Sequence, residues 1–184
     1  MRTAYLGLGS NLGQSENTLV SALDYLSQTY SVNVQKCSSM YRSKPLIHPA
    51  NVKNTENTES TKNSENEDPP QPDYINAVAC VTGEFTALEL LDILQAVEAH
   101  FGRVRDGERW ASRTLDLDIL LFDDELINEL RLTVPHVGLL QRDFVLYPLV
   151  EIAPNIEIPG FGSISIALEA CENRGLEKLN DHHD

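Results

Sequence analysis

The chain has few cysteines and few positive charges for its 184 residues. Its three cysteines, Cys37, Cys80 and Cys171, lie far apart and form no Cys-x-x-Cys pair, so neither a disulfide framework nor a zinc site is indicated. Lysine and arginine number 14 against 28 aspartates and glutamates, which gives a net charge of −14. Proteins that follow a nucleic-acid backbone need a broad basic surface, so this balance argues against nucleic acid as a partner.

Long apolar runs are also missing. No stretch reaches the roughly 18 apolar residues of a membrane span, and the N-terminal MRTAYLGLGSN has no apolar signal segment. We therefore expect a cytoplasmic protein with reduced thiols and no membrane contact. The length of 184 residues and a hydrophobic fraction of 41%, enough for a core, predict a single domain over 1–175 with a C-terminal tail at 176–184. We expect a monomer.

One internal segment, at about 48–72, lacks almost every residue that a core could bury. It is rich in asparagine, glutamate, threonine and serine, and its burial could not offset the entropy of ordering it. The composition predicts a disordered loop insertion in the domain. A regulatory or partner-binding role for the insertion is a minor alternative.

Periodicity predicts the order β-α-β-β-α-β with additions at the C-terminal end. The fold class that fits is α+β: a ferredoxin-like plait with a mainly antiparallel sheet and helices packed on its faces. Gly7, Gly9 and Gly13 do not complete a dinucleotide-binding fingerprint, because the third glycine comes one position late. They are interpreted as allowing a tight turn from strand to helix. The predicted strands are 3–9, 32–41, 73–81, 115–122 and one near 156–159; the predicted helices are 15–28, 86–101 (opened by a Thr86-x-x-Glu89 capping box), 138–152 with a break at Pro148, and 163–171.

An aspartate pair lies on the strand that the other motifs surround. At period two, Asp116 and Asp118 share one face, about 6.6 Å apart along the strand, and the apolar residues Leu115, Leu117, Ile119 and Leu121 share the other. Two like charges on an apolar strand need a cation between them. Two Mg²⁺ ions about 3.5–4 Å apart would fit and would clamp a polyphosphate. The alternative is a solvated strand end without a ligand.

Arginine is concentrated around this strand. Six of the nine arginines lie between residues 103 and 142, at positions 103, 105, 109, 113, 131 and 142. The guanidinium group suits bidentate recognition of phosphate, so the cluster favours a phosphate site. The alternative is that these arginines form salt bridges with Asp106, Glu108 and the strand carboxylates.

These motifs resemble those of the 6-hydroxymethyl-7,8-dihydropterin pyrophosphokinases, enzymes of folate biosynthesis. The resemblance covers nearly the whole chain outside the insertion and is most specific in the segment 109–119. It rests on GLGSNLG at 7–13, YRSKPL at 41–46, QPDYINA at 71–77, GRVRDGERWASRTLDLDILLF at 102–122 and RLTVPH at 131–136. It implies transfer of diphosphate from ATP to the pterin hydroxymethyl group with release of AMP, by in-line attack on the β-phosphorus assisted by two Mg²⁺ ions.

The resemblance also implies a set of site residues, which fall into three groups. The catalytic residues are Arg103, Arg113, Asp116 and Asp118, and the two aspartates are the metal ligands. The ATP-binding residues are Leu91, Gln95, Glu98, Arg105, Arg109, Trp110, Ile119, Arg131, Leu132, Thr133, His136 and Arg142. The pterin-binding residues are Ser43, Leu46, Tyr74, Asn76 and Phe144.

The chain departs from the family pattern at three places, none of which removes a metal ligand. Ala111-Ser112 replaces a common Gly-Pro, Val137 replaces a common aromatic, and the insertion begins just after Leu46.

Two other functions would also use some of these residues. A nucleotidyltransferase on a similar plait would also use paired aspartates but would release pyrophosphate. A small-molecule-sensing domain would use the aspartates structurally and would bind no nucleotide with Mg²⁺.

Overall fold

The computed structural model describes residues 1–45, 71–103 and 113–179. The predicted insertion lies almost wholly outside these ranges. The strands in the described part are β1 (Arg2–Ser10), β2 (Asn33–Cys37), β3 (Tyr41–Ser43), β4 (Tyr74–Gly83), β5 (Asp116–Phe122), β6 (Ile127–Asn128), β7 (Thr133–Val134), β8 (Glu157–Ile158), β9 (Gly162–Ser163) and β10 (Glu177–Lys178). The helices there are α1 (Ser15–Tyr30), α2 (Ala87–His100), α3 (Asp143–Ile152) and α4 (Ile164–Ala170), with a 3₁₀ helix at Leu139–Gln141.

The main sheet is antiparallel, with the strand order β10-β3-β4-β1-β5 and with β2 also paired to β4. Two apolar cores cover its faces. In the first, α1 and α2 pack on the leucines of β1, which alternate with glycine. In the second, α3 and α4 pack on the opposite face through Leu146, Leu149 and Ile164. The predicted α+β plait with helices on both faces is confirmed.

Helix α2 forms where the capping box and the apolar periodicity of the sequence predict it. The Thr86 hydroxyl accepts the Glu89 N–H, and the Glu89 carboxylate accepts the Thr86 N–H, so the predicted capping box is formed. Leu90, Leu94 and Val97 then fall on one side of the helix and are buried against the sheet.

The predicted face of the aspartate strand is correct up to Ile119 and wrong at Leu121. Leu115, Leu117 and Ile119 pack in the first core, but Leu121 packs in the second. The cause is a register shift against β1, where Tyr5 pairs with Leu121 and Leu6 pairs with Ile119. Leu120 is the extra residue of this bulge, and an extra residue reverses the alternation beyond it.

Two other boundaries differ from the sequence predictions. The predicted strand 32–41 is two strands, because the Ser38 hydroxyl accepts the Val78 N–H between them. Pro148 does not break α3, since the helix runs through it and the proline is buried. The packing there compensates for one missing backbone hydrogen bond.

The end of the chain also differs from the predicted tail at 176–184. Glu177 and Lys178 pair with Arg42 and Tyr41 as strand β10. The Leu179 N–H then donates to the Met40 carbonyl at 2.8 Å. The sheet therefore continues beyond residue 175. This pairing is made through main-chain groups, so no side-chain pattern predicts it. Residues 180–184 lie outside the described ranges.

A carboxylate at the end of α3 joins this helix to the edge of the sheet. Glu151 accepts hydrogen bonds from the Ser39 N–H (3.0 Å), the Ser39 hydroxyl (2.7 Å) and the Tyr41 hydroxyl (2.6 Å). The Lys178 ammonium lies 3.3 Å away. Burial acts to raise the pKa of Glu151, but these donors outweigh it and lower the pKa to about 2.

The replacement Glu151→Gln is expected to destabilise the protein by about 1–2 kcal/mol at pH 7, because a neutral amide accepts these hydrogen bonds less strongly. The pKa of Glu151 is depressed in the folded state, so its contribution is complete above its ordinary value of 4.5 and is lost as the pH falls toward about 2. Urea unfolding at pH 7 and pH 3 measures this. The difference between wild type and variant should shrink at pH 3, and an equal difference at both pH values would contradict the assignment. The exposed Glu129 provides a matched control as Glu129→Gln.

Candidate active site

A cavity of about 420 Å³ opens on the face of the sheet that carries α3. Its floor comes from β1, β4 and β5, and its walls come from the end of β3 and the start of α3. Eight of the predicted site residues line it: Ser43, Tyr74, Asn76, Arg113, Asp116, Asp118, Arg142 and Phe144. Gly7, Gly9, Lys44, Gln71 and Val137 also line it and are absent from the predicted set.

The two glycines of β1 form the floor between the carboxylates and the amide. Gly9 pairs with Asp116 on one side and Asn76 on the other, while Gly7 pairs with Asp118. A Cβ atom on Gly9 would lie 3.6 Å from the Asn76 side-chain oxygen and 3.9 Å from the Asp116 Cβ. The interpretation of Gly7 and Gly9 as turn residues is therefore wrong. They lie inside a strand, where the missing side chains leave room for the cavity, and only Gly13, with φ of +70°, serves the turn.

Asp116 is neutralised by two arginines. The Arg113 guanidinium donates to one carboxylate oxygen at 2.6 Å, and the Arg103 guanidinium donates to the other. The salt-bridge alternative for the arginine cluster is thus realised at these two positions. It does not exclude phosphate binding, because the Arg113 guanidinium also lines the cavity beside both aspartates.

Asp118 is the more exposed carboxylate, with 41% of its side chain accessible. Although Asp118 opens on the cavity, the protein around it removes part of its hydration, and this desolvation raises the pKa of Asp118. The neighbouring Asp116 raises it further. The His136 Nε2 atom lies 3.8 Å from the carboxylate. Burial lowers the pKa of His136, so the neutral ring is favoured. Its Nδ1 accepts the Gly138 N–H at 3.1 Å, and this bond assigns the remaining proton to Nε2, which faces Asp118.

Glu98 lies behind the aspartate strand. Its side chain is buried, and its carboxylate accepts the Leu117 N–H at 2.8 Å and a hydrogen bond from Arg103. Glu98 therefore fixes β5 and one of the two arginines on Asp116. A direct contact with a nucleotide, as the resemblance implies, stays a prediction.

The opposite part of the cavity combines aromatic rings with a fixed amide. Tyr74 and Phe144 supply aromatic surfaces, and the Arg142 guanidinium lies 5.9 Å from the centre of the Phe144 ring. The buried Asn76 also lines the cavity, and its amide donates to the Ser43 hydroxyl at 2.9 Å and to the Tyr41 carbonyl at 3.3 Å. These bonds fix the amide, and its oxygen lies toward Gly9 on the cavity floor.

Several predicted nucleotide contacts lie beside the cavity, around the outer edge of β5. The Arg131 guanidinium pairs with Asp92 on α2, and the His136 N–H donates to the Leu120 carbonyl. These contacts bring α2 and the β7 segment together next to the aspartate strand. Ile119 and Leu132 are buried in the first core. The predicted residues in this region are Leu91, Gln95, Glu98, Ile119, Arg131, Leu132, Thr133 and His136. Leu46, Arg105, Arg109 and Trp110 lie outside the described residues, as do Ala111 and Ser112.

Comparisons with known proteins identify the family of the chain. The family described as 7,8-dihydro-6-hydroxymethylpterin-pyrophosphokinase (HPPK) matches residues 5–154. The chain is 40% identical over 180 residues to the 2-amino-4-hydroxy-6-hydroxymethyldihydropteridine pyrophosphokinase of Haemophilus influenzae, covering 98% of this chain and 99% of that protein. The chain belongs to the HPPK family. An HPPK of the same description from Pseudomonas aeruginosa is 38% identical over 179 residues, covering 97% of this chain and 98% of that protein.

Solved structures support the HPPK fold independently. The crystal structure of Plasmodium falciparum HPPK-DHPS wild type with SDX-DHP matches with a TM-score of 0.62 and 17% identity. The match covers 92% of this chain and 43% of that chain, so the present chain spans less than half the length of that protein. At this identity the likeness supports the fold alone.

The predicted family and the predicted class of enzyme, an ATP-dependent diphosphotransferase, are confirmed by these relatives. Among the described residues, no helix is long and apolar enough to cross a membrane. The three cysteines are free thiols. The cytoplasmic location, the monomeric state and the single-domain organisation stay predictions.

Proposed function

We propose that this HPPK family member transfers the diphosphoryl group of ATP to the hydroxymethyl oxygen of 6-hydroxymethyl-7,8-dihydropterin and releases AMP. One observation carries the proposal: a single cavity joins a carboxylate-and-arginine region to an aromatic-and-amide region. The first region has the chemistry of a polyphosphate site and the second has the chemistry of a pterin site. The names of the relatives support the same pair of substrates.

The pterin is a flat ring with donors and acceptors along its edge. Tyr74 and Phe144 offer the aromatic surfaces on which such a ring stacks. Asn76 is held by Ser43 and Tyr41, so its amide reads the ring edge without reorganising. We place the hydroxymethyl group toward Gly9, where the floor of the cavity leads to the aspartates.

The aspartates fit Mg²⁺ by the chemistry of their donor set. Among the described residues no group of three or more His, Cys, Asp or Glu side chains could hold a metal. Mg²⁺ in nucleotide enzymes needs only one or two carboxylates, because phosphate oxygens and water complete its six ligands. Asp116 and Asp118 would hold two such ions, which when bound would neutralise the triphosphate and acidify the substrate hydroxyl.

The arginines then stabilise the charge that moves during transfer. A bond forms between the hydroxymethyl oxygen and the β-phosphorus as the bond from the β-phosphorus to the bridging oxygen of AMP breaks. The hydroxyl proton is lost to water. We assign Arg103 and Arg113, which both pair with Asp116, the role of donating to the phosphate oxygens during transfer. Positioning and charge neutralisation supply most of the acceleration in reactions of this kind.

The nucleotide product tests the proposal. Purified protein is incubated with ATP, MgCl₂ and 6-hydroxymethyl-7,8-dihydropterin, and the products are separated by ion-exchange chromatography. We expect AMP and pterin diphosphate in equal amounts, with no AMP when the pterin or Mg²⁺ is omitted. Release of pyrophosphate would support a nucleotidyltransferase, ADP would indicate transfer of a single phosphoryl group, and no turnover would leave the sensing function. Any of these three results would overturn the proposal.

A further inference from the structure

Asn11 is a buried amide just beyond the end of β1, with 3% of its surface accessible. Its side-chain oxygen accepts the Arg113 N–H at 2.7 Å, and its own N–H donates to the Arg113 carbonyl at 3.1 Å. Its side-chain nitrogen donates to the Pro72 carbonyl at 3.3 Å. One residue therefore holds two segments that are 41 positions apart in the chain.

These two segments border different halves of the cavity. Arg113 places its guanidinium on Asp116 at 2.6 Å, in the carboxylate-and-arginine region. Pro72 lies between Gln71 and Tyr74, which both line the cavity on the aromatic side. A shift of Asn11 would therefore change where the arginine and the aromatic ring lie relative to each other.

A purely local role does not account for these contacts. Helix α1 begins at Ser15, and the residue at its N-cap is Gln14, so Asn11 does not cap the helix. The neighbouring Ser10 is also buried, but its hydroxyl donates to the Ser15 hydroxyl at 3.0 Å, within the same turn. Only an amide offers both the acceptor for Arg113 and the donor for Pro72 on one short side chain.

We infer that Asn11 is a positioning residue that fixes the place of Arg113 relative to the aromatic-and-amide region of the cavity. This inference rests on the proposed function, because it assigns Arg113 to the phosphate of the reaction. Asn11 itself touches no substrate in this account and acts through Arg113 and Pro72. A misplacement of about 1 Å in such a group lowers turnover by up to about 10²-fold.

A double-mutant cycle tests the inference. Asn11→Ala is expected to lower kcat by about 10- to 100-fold in the wild-type background. In an Arg113→Ala background the same change should lower kcat by less than about threefold, because the group that Asn11 positions has been removed. Ser10→Ala is the matched control, a neighbouring buried polar residue, and should leave kcat within about twofold of wild type. An equal loss from Asn11→Ala in both backgrounds would overturn the inference.

A second variant distinguishes the contact with Arg113 from the contact with Pro72, and it keeps the inference testable if Asn11→Ala does not fold. Asn11→Asp keeps the acceptor for Arg113 and loses the donor to Pro72. It should raise KM for the pterin more than it lowers kcat. An unchanged KM for the pterin would contradict the Pro72 contact.

Hydrogen exchange at the Arg113 amide tests the geometry without any assay of activity. In Asn11→Ala this amide should exchange at least about tenfold faster than in wild type, since it loses its acceptor. Unchanged protection would overturn the inference even if the enzyme is active. Failure of wild-type protein to make AMP, with protection lost as expected, would instead reject the proposed function and keep the contact.

Discussion

Asp118→Asn should lower turnover by about 10³-fold or more while the protein stays folded. Asp118 projects from β5 into the cavity beside Asp116, and its replacement removes a full negative charge from the proposed metal site. An asparagine of the same shape keeps the packing but is a poor ligand for Mg²⁺. Steady-state turnover at saturating ATP and pterin measures the loss.

The unfolding temperature of Asp118→Asn distinguishes a loss of function from a loss of folding. Asp118 has a like charge on the same strand face, and burial together with this neighbour raises its pKa. A carboxylate whose folded-state pKa is raised destabilises the protein at pH values above that pKa. Asp118→Asn should therefore unfold at the same temperature as wild type or a higher one. Loss of activity without loss of stability is the signature of a residue kept for function.

Asp124→Asn is the matched control, because Asp124 is exposed and lies just beyond the other end of the strand. It should retain turnover within about twofold of wild type. Near-normal turnover in Asp118→Asn, or an equal loss in Asp124→Asn, would remove the reason for placing metal at this strand.

Arg113→Ala is expected to lower kcat by about 10²- to 10³-fold, the second-largest effect in this account. Its guanidinium lies on Asp116 at 2.6 Å and lines the cavity, so it is placed to neutralise charge as the phosphate is transferred. Asp116 keeps the Arg103 contact in the variant, so the carboxylate is not left unpaired. Turnover at saturating substrates, with the unfolding temperature measured alongside, reports the effect.

Two further variants test whether the effect is specific to the guanidinium group of Arg113. Arg113→Lys keeps the charge but loses the planar fork and should recover only part of the activity. Arg42→Ala removes an exposed arginine whose partner is Glu177 at 3.1 Å, outside the cavity, and should leave kcat within about twofold of wild type. A kcat in Arg113→Ala within about threefold of wild type would show that Arg113 does not act on the transferred group.

Two features that the residues alone predicted have a local signal, whereas most of the site residues came from the family resemblance. Asp116 and Asp118 alternate with apolar residues on one short strand, and Thr86 with Glu89 forms a capping box within four residues. Such patterns depend only on spacing along the chain. They can therefore be read before any tertiary contact is known.

The missed features depend on neighbouring strands and helices. The bulge at Leu120 exists because of pairing with β1, so a strict alternation placed Leu121 on the wrong face. The roles of Gly7 and Gly9 follow from the side chains opposite them, which a single strand does not reveal. Asn11 lies in the GLGSNLG motif at 7–13, but its hydrogen bonds to Pro72 and Arg113 join distant parts of the chain.

The most direct test of the metal site is anomalous diffraction. Crystals grown with a non-hydrolysable ATP analogue, Mn²⁺ in place of Mg²⁺ and the pterin would be measured on both sides of the manganese edge. We expect two anomalous peaks, each within bonding distance of Asp116 or Asp118 and of phosphate oxygens, with the pterin ring between Tyr74 and Phe144. Peaks bound only to the nucleotide, with both aspartates still paired to arginine or turned away, would contradict it.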